Sequence, residues 1–255
     1  MKSPLYLHNL TQPDAARLLL KGRTALVVVG SVEQHGPHLP LGTDAVAALA
    51  VAERVAERLE APILLASLVG VAPYHSSWAG SLTLRPATLS ALLLDACRGL
   101  HSAGAETVVF VNWHEGNTPT LRLAADDIQR EIGCRVVIAE THVITNQLFP
   151  DEMEFTHAGA MEAAGVLAFD EDLVRLERVA GAADRATGER GHGLFRRRDV
   201  FPVLQDFHEV APTGWYGDPT TVTTERAREI LAAVADHVVT RVREIVATLS
   251  ERDGE

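Results

Sequence analysis

Apolar strand-like runs alternate with helix-like stretches through the first 140 residues, and this alternation restricts the fold more than any other feature. The runs are short, rich in Val, Ile and Leu, and cover residues 24–29, 62–66, 107–111 and 135–139. The stretches between them carry apolar residues at helical spacing, as in residues 45–59. Strands separated by helices are typical of a parallel sheet with helices on both faces, so we expect an α/β fold.

The second half of the chain is less regular. Helical spacing returns at residues 160–169 and in a long stretch at 224–249, whereas residues 175–206 are predicted to be mostly loop. The chain has no linker rich in Pro or Ser and no internal repeat. Because 255 residues can bury one sizeable core, we expect a single domain over residues 1–255.

Composition and charge exclude several classes of partner. Hydrophobic residues make up 47% of the chain and charged residues 22%, which is ordinary for a globular protein in water. The formal net charge is −11, whereas surfaces that bind nucleic acid or anionic membranes are rich in Lys and Arg. The basic run at 196–198 is interpreted as a solvated loop. We therefore expect a small-molecule substrate, with no nucleic acid and no membrane partner.

Localisation and redox state are inferred from simpler signals. The N-terminal residues lack the apolar segment of a signal peptide, and no apolar run approaches the roughly 18 residues of a membrane span. Cys97 and Cys134 lie far apart and lack metal-binding or disulfide spacing. These features predict a cytoplasmic protein with two reduced thiols in its core.

The loop after the first strand collects side chains suited to metal binding. It contains Glu33, His35 and Asp44 among Gly and Pro residues. Carboxylates mixed with imidazoles are the ligands that divalent transition metals prefer. Taken singly, Glu33 or His35 would more often form hydrogen bonds with the loop backbone, but jointly with Asp44 and His114 they favour a metal site. Gln34 and His38 are interpreted as supports for the loop.

Two further polar clusters follow in the sequence. The loop at 112–117 comes after the third strand and contains His114 and Glu115, and another cluster contains His157 and Glu162. In open α/β sheets, ligands bind outside the carboxyl ends of the strands. We therefore expect His114 to lie close to the residues of the first loop.

These clusters resemble the motifs of the creatininase (creatinine amidohydrolase) family. Residues 30–44 match its G-x-x-E-Q-H-G-P-H-L-P-L-x-T-D pattern, and residues 112–117 are similar to its N-G-H-G-G-N loop. Residues 157–162 resemble its H-A-G-x-x-E segment, and residues 214–219 a Gly-Asp-Pro turn before its last helix. Since the matches keep the family's order over most of the chain, the protein is identified as a member.

The resemblance implies a three-layer α/β/α fold with a mostly parallel central sheet, and a centre of usually two divalent ions that hydrolyses a C–N bond. Carried over by position, Glu33, Asp44 and His114 would hold one metal. His35 and Asp44 would hold the other, with Asp44 bridging, and His157 would move protons. Such ligands accept Zn, Mn and Fe with little discrimination. Members of the family are commonly homo-oligomers, often hexamers, and we expect the same here.

The sequence departs from the pattern of creatinine-hydrolysing members in one loop. Those members have a glutamate where this chain has Gly116, and here a glutamate stands one position earlier, as Glu115. The third carboxylate of the metal centre is therefore predicted to be Glu162, with Glu115 as the alternative. Glu115 is also a candidate catalytic residue beside His157. Trp113 replaces a glycine of the family and is expected to alter the wall of the pocket.

Substrate contact is assigned to Trp78, Trp113 and Asn117, whereas His75 and His208 are interpreted as structural or rim residues. The family includes enzymes that act on creatinine, on a formamido-pyrimidine and on a peptide-derived cofactor precursor. We therefore predict a metal-dependent amidohydrolase that uses metal-bound hydroxide on a small cyclic amide, a formamide or a short peptide. Its class would be a hydrolase of non-peptide C–N bonds. The alternatives are an inactive family member that binds a metal or metabolite, and a lactone or ester hydrolase.

Overall fold

A four-stranded parallel sheet forms the centre of the computed structural model, which describes residues 5–179, 193, 197 and 199–252. The strands are β1 (Thr24–Val29), β2 (Ile63–Ser67), β3 (Thr107–Asn112) and β4 (Arg135–Glu140), in the spatial order β2-β1-β3-β4. The central strands pair in unbroken register, from Thr24 opposite Thr107 to Val29 opposite Asn112. The loops that leave β1 and β3 therefore start side by side.

Helices cover both faces of this sheet. Those of the described residues are α1 (Gln12–Gly22), α2 (Thr43–Leu59), α3 (Pro86–Ser102), α4 (Thr118–Ile132), α5 (Thr141–Leu148), α6 (Ala160–Phe169) and α7 (Thr224–Arg252). Helices α2, α6 and α7 pack together on one face, and α1, α3 and α4 bury their apolar sides on the other.

The side chains of β1 alternate between the two hydrophobic cores. Leu26 and Val28 contribute to the core beneath α2, α6 and α7, whereas Val27 and Val29 contribute to the core beneath α3 and α4. All four are fully buried, as expected for a parallel strand covered on both faces. The predicted α/β fold with three layers is therefore confirmed.

Most element boundaries fall close to the predicted ones. The second strand begins one residue later than expected, at Ile63, and α2 begins two residues earlier, at Thr43. The latter shift places Asp44 in the first turn of α2. Helix α5 was not anticipated, because its eight residues include several β-branched residues with low helix propensity. Parts of the predicted loop at 175–206, including most of the run at 196–198, lie outside the described residues.

Two properties of the described helices and thiols bear on the sequence expectations. No helix among residues 5–179 and 199–252 is both long and apolar enough to cross a membrane. Cys97 and Cys134 are buried free thiols in the core beneath α3 and α4, as expected. Burial raises the pKa of the Cys97 thiol to about 12, so it is protonated at neutral pH.

Candidate metal centre

Three segments meet at the carboxyl edge of the sheet. They are the loop from β1 to α2, the turn between β3 and α4, and the approach to α6. They bring together six polar side chains that are each no more than 9% exposed: Glu33, His35, Asp44, His114, His157 and Glu162. Ionisable side chains are seldom buried in such numbers without a role, because burial without a partner is unfavourable.

The loop after β1 is shaped by close contact with the start of α2. A side chain at Gly30 would overlap Ala45, so only glycine lets the chain pass this helix. At Gly36, φ is +66°, in the left-handed region that favours glycine. Asp44 follows in the first turn of α2, where the partial positive charge of the helix N-terminus favours a carboxylate. The loop thereby turns Glu33 and Asp44 into the same buried space.

Backbone carbonyls orient two of the imidazoles. His35 Nδ1 lies 3.0 Å from the Glu33 carbonyl oxygen, and His114 Nε2 lies 3.1 Å from that of Val71. A carbonyl can only accept, so each of these ring nitrogens carries a proton, which leaves His35 Nε2 and His114 Nδ1 to face the rest of the cluster. Metal-binding histidines are commonly held in this way.

The other ring nitrogen of each imidazole points at carboxylates. His114 Nδ1 lies 3.3 Å from Glu33 Oε2 and 3.4 Å from Asp44 Oδ2. His35 Nε2 lies 3.8 Å from Asp44 Oδ2 and 3.6 Å from Glu162 Oε2. The carboxylates and imidazoles therefore converge from three segments of the chain.

Some atoms of this cluster have no hydrogen-bond partner among the described residues. His35 Nε2 and Asp44 Oδ2 are both buried and both unpartnered. Unpaired buried polar atoms are unfavourable unless something outside the chain satisfies them. One ligand atom each from Glu33, His35 and Asp44 lie within 4.8 Å of one another, and so do ligand atoms from His35, His157 and Glu162. These donor sets fit divalent cations, and their mixed N and O composition suits Zn or Mn.

Electrostatics point to the same need for positive charge. Burial raises the pKa of Glu33 to about 7 and raises that of Glu162 well above its usual value. Burial alone would lower the pKa of His114, but the carboxylates of Glu33 and Asp44 raise it to about 10. A proton on His114 therefore occupies the position, between two buried carboxylates, where a metal ion would supply the charge.

His157 and Glu162 are held by the turn before α6. The backbone N–H of Ala158 donates to Glu162 Oε2, in a short contact, and Ala158 has a φ of 57°. His157 Nε2 lies 2.8 Å from the carbonyl oxygen of Gln34, so this nitrogen carries the proton. Its Nδ1 then has a lone pair, 3.9 Å from Glu162 Oε1. Burial lowers the pKa of His157 well below its usual value, which keeps the ring neutral.

The structure does not bring Glu115 into this cluster. Glu115 is exposed, and its charge acts on Glu140, whose pKa is raised first by burial and also by Glu115. The reason is local, because His114 points inward and the next residue opens a short 3₁₀ turn toward solvent. Between the two predicted candidates for the third carboxylate, the one beside the imidazoles is Glu162.

The three residues assigned to substrate contact lie in different surroundings. Trp113 is 2% exposed and packs in the hydrophobic core beside Gly165 of α6. Asn117 is also buried, and its amide joins loops by donating to the Gly30 carbonyl and accepting from the Val71 N–H. Trp78 alone of the three is partly exposed.

Sequence reasoning missed the position of His75. The structure buries this residue beside the cluster, with Nε2 3.5 Å from Glu33 Oε1. Phe207 stacks on its ring, with centroids 4.6 Å apart, and lies at the same distance from the ring of His157. Nearby, Trp78 stacks on His208 at 4.2 Å. His75 ends a short 3₁₀ turn (Pro73–His75), whose position beside Glu33 could not be derived from local sequence patterns.

Comparison with known proteins agrees with this geometry. The family model for creatininase, described as creatinine amidohydrolase, matches residues 8–242. The chain belongs to the creatininase family. A protein from Mycobacterium ulcerans (strain Agy99), named mycofactocin precursor peptide peptidase, is 32% identical over 85% of this chain and 83% of its own length. Creatinine amidohydrolase of Pseudomonas putida is 26% identical over 96% of this chain and 98% of its own length.

A solved structure matches the fold over almost the whole chain. It is a mutant creatininase of a type described as Zn-Zn, with a TM-score of 0.77 and 27% sequence identity. The match covers 94% of this chain and 97% of that chain. The three-layer fold of this creatininase-family protein is therefore shared with an enzyme structure that holds zinc.

Proposed function

We propose that this creatininase-family hydrolase is a metal-dependent amidohydrolase with two divalent ions in its buried cluster. The observation that carries the proposal is the convergence of unpartnered His35 Nε2 and Asp44 Oδ2 with the carboxylate of Glu33 in one buried space. The buried carboxylates of Glu33 and Asp44 require a nearby positive charge, as the raised pKa of His114 indicates, and this supports the proposal further.

Each ion would have its own set of residues. Glu33, Asp44 and His114 would hold one, since the two carboxylates flank His114 Nδ1. His35, Asp44 and Glu162 would hold the other, with Asp44 shared between them. Divalent ions, when bound, polarise a carbonyl group and lower the pKa of a coordinated water molecule to about 7.

His157 would handle the proton that an amide reaction moves. Its ring is neutral, its Nε2 donates to the Gln34 carbonyl, and its Nδ1 keeps a lone pair on the side of Glu162. A neutral imidazole so placed can accept a proton and return it to a departing nitrogen. Stacking against His35, with ring centroids 4.6 Å apart, holds the ring at the edge of the cluster.

Short peptides are the first substrate class we propose, with formamides and cyclic amides such as creatinine as the others. The relative named as a peptide peptidase is more similar to this chain than creatinine amidohydrolase is. The mouth of the cluster also has an aromatic side, formed by Trp78, Phe207 and His208, that suits the side chains of a peptide. Trp78 would contact the substrate there.

A substrate panel tests the proposal. The protein would be stripped with a chelator, reloaded separately with Zn²⁺ or Mn²⁺, and assayed on short peptides, formamides, creatinine and matched esters. We expect metal-dependent cleavage of at least one amide by the wild type and none by Asp44→Asn. A metal-loaded wild type that cleaves no amide would support the inactive binding protein instead. Cleavage restricted to esters would support the lactone or ester hydrolase.

A further inference from the structure

The side chain of Gln34 lies between two histidines that border the cluster. Its Nε2 is 3.1 Å from His75 Nδ1, 3.0 Å from His157 Nε2 and 2.5 Å from the carbonyl oxygen of Gly214. Its Oε1 accepts a hydrogen bond of 3.2 Å from the backbone N–H of Gly36. Four groups therefore surround one buried amide.

Two of these groups determine the positions of the oxygen and the nitrogen of the Gln34 side-chain amide. The Gly36 N–H can only donate and therefore requires an oxygen, whereas the Gly214 carbonyl can only accept and therefore requires the NH₂ group. Rotating the Gln34 amide by 180° would place like groups against each other at both positions. The donor end of Gln34 is thus directed at Gly214 and the two imidazoles.

The amide then determines the protonation of His75. The NH₂ of Gln34 has two hydrogens, and one is used by the Gly214 carbonyl. His157 Nε2 cannot accept the other hydrogen, because this nitrogen carries its own proton and donates it to the backbone carbonyl of Gln34. The second hydrogen goes to His75 Nδ1, which must be unprotonated to accept it. The proton of a neutral His75 ring is therefore on Nε2.

That proton is directed at a residue of the cluster. His75 Nε2 is 3.5 Å from Glu33 Oε1, while Ser31 Oγ donates to Glu33 Oε2 over 2.7 Å. The carboxylate is thus held from both sides, with Oε2 turned toward His114. The ring of Phe207 stacks on that of His75, with the two centroids 4.6 Å apart.

We propose that His75 is a positioning residue for Glu33, and that the side-chain amide of Gln34 fixes the ring tautomer that this role needs. That Glu33 binds a metal rests on the proposed function. The position of the proton on His75 does not, because it follows from groups that are present without any metal. Residues that orient metal-binding groups typically change affinity about 10- to 100-fold when removed.

The tautomer can be observed directly. Long-range ¹H–¹⁵N spectra of the chelator-treated protein, with ¹⁵N-labelled histidine, distinguish a protonated from an unprotonated ring nitrogen, and the His75→Gln variant identifies the signals of His75. We expect Nε2 of His75 to be protonated and Nδ1 to be unprotonated. A proton on Nδ1 would overturn the proposal.

Substitution of Gln34 tests the cause of this preference. A carboxylate in Gln34→Glu can only accept, so the proton of His75 should move to Nδ1. Gln34→Met has similar length and no donor, so it should leave a mixture of the two tautomers. Retention of the Nε2–H form in both variants would show that Gln34 does not select it.

Metal affinity tests the contact with Glu33. His75→Phe keeps the ring but removes the donor, and should weaken Zn²⁺ binding by at least about tenfold. His75→Gln retains an amide donor near the position of Nε2 and should bind nearly as tightly as the wild type. His8→Phe, at an exposed position, controls for loss of a surface histidine. Equal affinity in His75→Phe and the wild type would contradict the role. A wild type that binds no Zn²⁺ would refute the proposed function, and the spectra would still decide the tautomer.

Discussion

His35 Nε2 and Asp44 Oδ2 face each other across 3.8 Å in the interior of the protein, and neither atom has a hydrogen-bond partner among the described residues. Two buried atoms with lone pairs do not stabilise each other directly. A cation between or beside them would satisfy both, and this relationship makes Asp44 the residue on which metal binding should depend most.

We expect Asp44→Asn to weaken binding of Zn²⁺ by at least about a hundredfold, because in the proposed centre it would remove a ligand shared by both ions rather than an orienting group. Titration against a chelating dye measures this affinity. Asp126→Asn is the matched control, since Asp126 is an exposed carboxylate of α4 that pairs with Arg130 at 3.0 Å. Similar affinities in the two variants would contradict the assignment of Asp44.

Substitution of the two candidate glutamates should have different effects on the metal content. Glu162→Gln should lower the metal content from two ions to one per chain, because its carboxylate lies beside His35 and His157. Glu115→Gln should retain both ions, because Glu115 is exposed and acts on Glu140. Elemental analysis after dialysis gives the stoichiometry. Loss of an ion from Glu115→Gln alone would reverse the order of the two candidates.

The stability of the metal-free protein should fall as the pH rises from 7.5 to 9. Burial opposes protonation of His114, but Glu33 and Asp44 raise its pKa to about 10, above that of the unfolded chain near 6.5. A histidine whose pKa is raised by folding stabilises the fold fully at a pH below its unfolded pKa. This stabilisation is lost as the pH rises toward its folded pKa. The buried neutral histidines titrate below this range, and the thiols of the unfolded chain ionise only from about pH 8.5, so the slope below that pH excludes both.

Urea unfolding of the chelator-treated protein at several pH values measures this trend. His114→Asn should flatten it, because the proton that stabilises the folded state is then absent. A wild-type stability that rises over the same range would show that the charge between the two carboxylates is not held on His114.

Contact between α2 and α6 should tolerate no added methyl group. A side chain at Gly165 would overlap the Cβ of Ala47, so Gly165→Ala should destabilise the fold by about 1–3 kcal/mol through overpacking. Gly99→Ala on α3 is the control, since nothing lies within 4 Å of its added carbon. That variant should gain up to about 1 kcal/mol from helix propensity. Denaturant unfolding of both variants gives the comparison, and equal changes would contradict it.

The sequence predicted the parts of the site that depend on strand ends. Glu33, His35, Asp44 and His114 follow β1 and β3, and parallel pairing of neighbouring strands forces these loops together. The position of Glu162 beside His35 could be predicted only from the family motif, because it depends on how α6 packs on α2. Packing between distant helices leaves no local signal in the chain.

Two residues show why the remainder could not be predicted. His75 ends a short 3₁₀ turn (Pro73–His75) within a longer loop, so its approach to Glu33 depends on loop contacts such as the hydrogen bond that the Val71 N–H donates to Asn117. Trp113 replaces a residue that the family motif gives as glycine, and a wall of the pocket was the simplest prediction. Its burial beside Gly165 depends on complementary volumes, which a linear pattern does not record.

The order in which the site residues occur along the chain has a consequence for biosynthesis. A nascent chain that has cleared the ribosome through α4 already contains Glu33, His35, Asp44 and His114, so one half of the centre can assemble early. Glu162 emerges later, with α6, and α7 follows only near the end of translation. Until then, a partly formed centre with exposed ligands would be open to whichever cation is most abundant in the compartment.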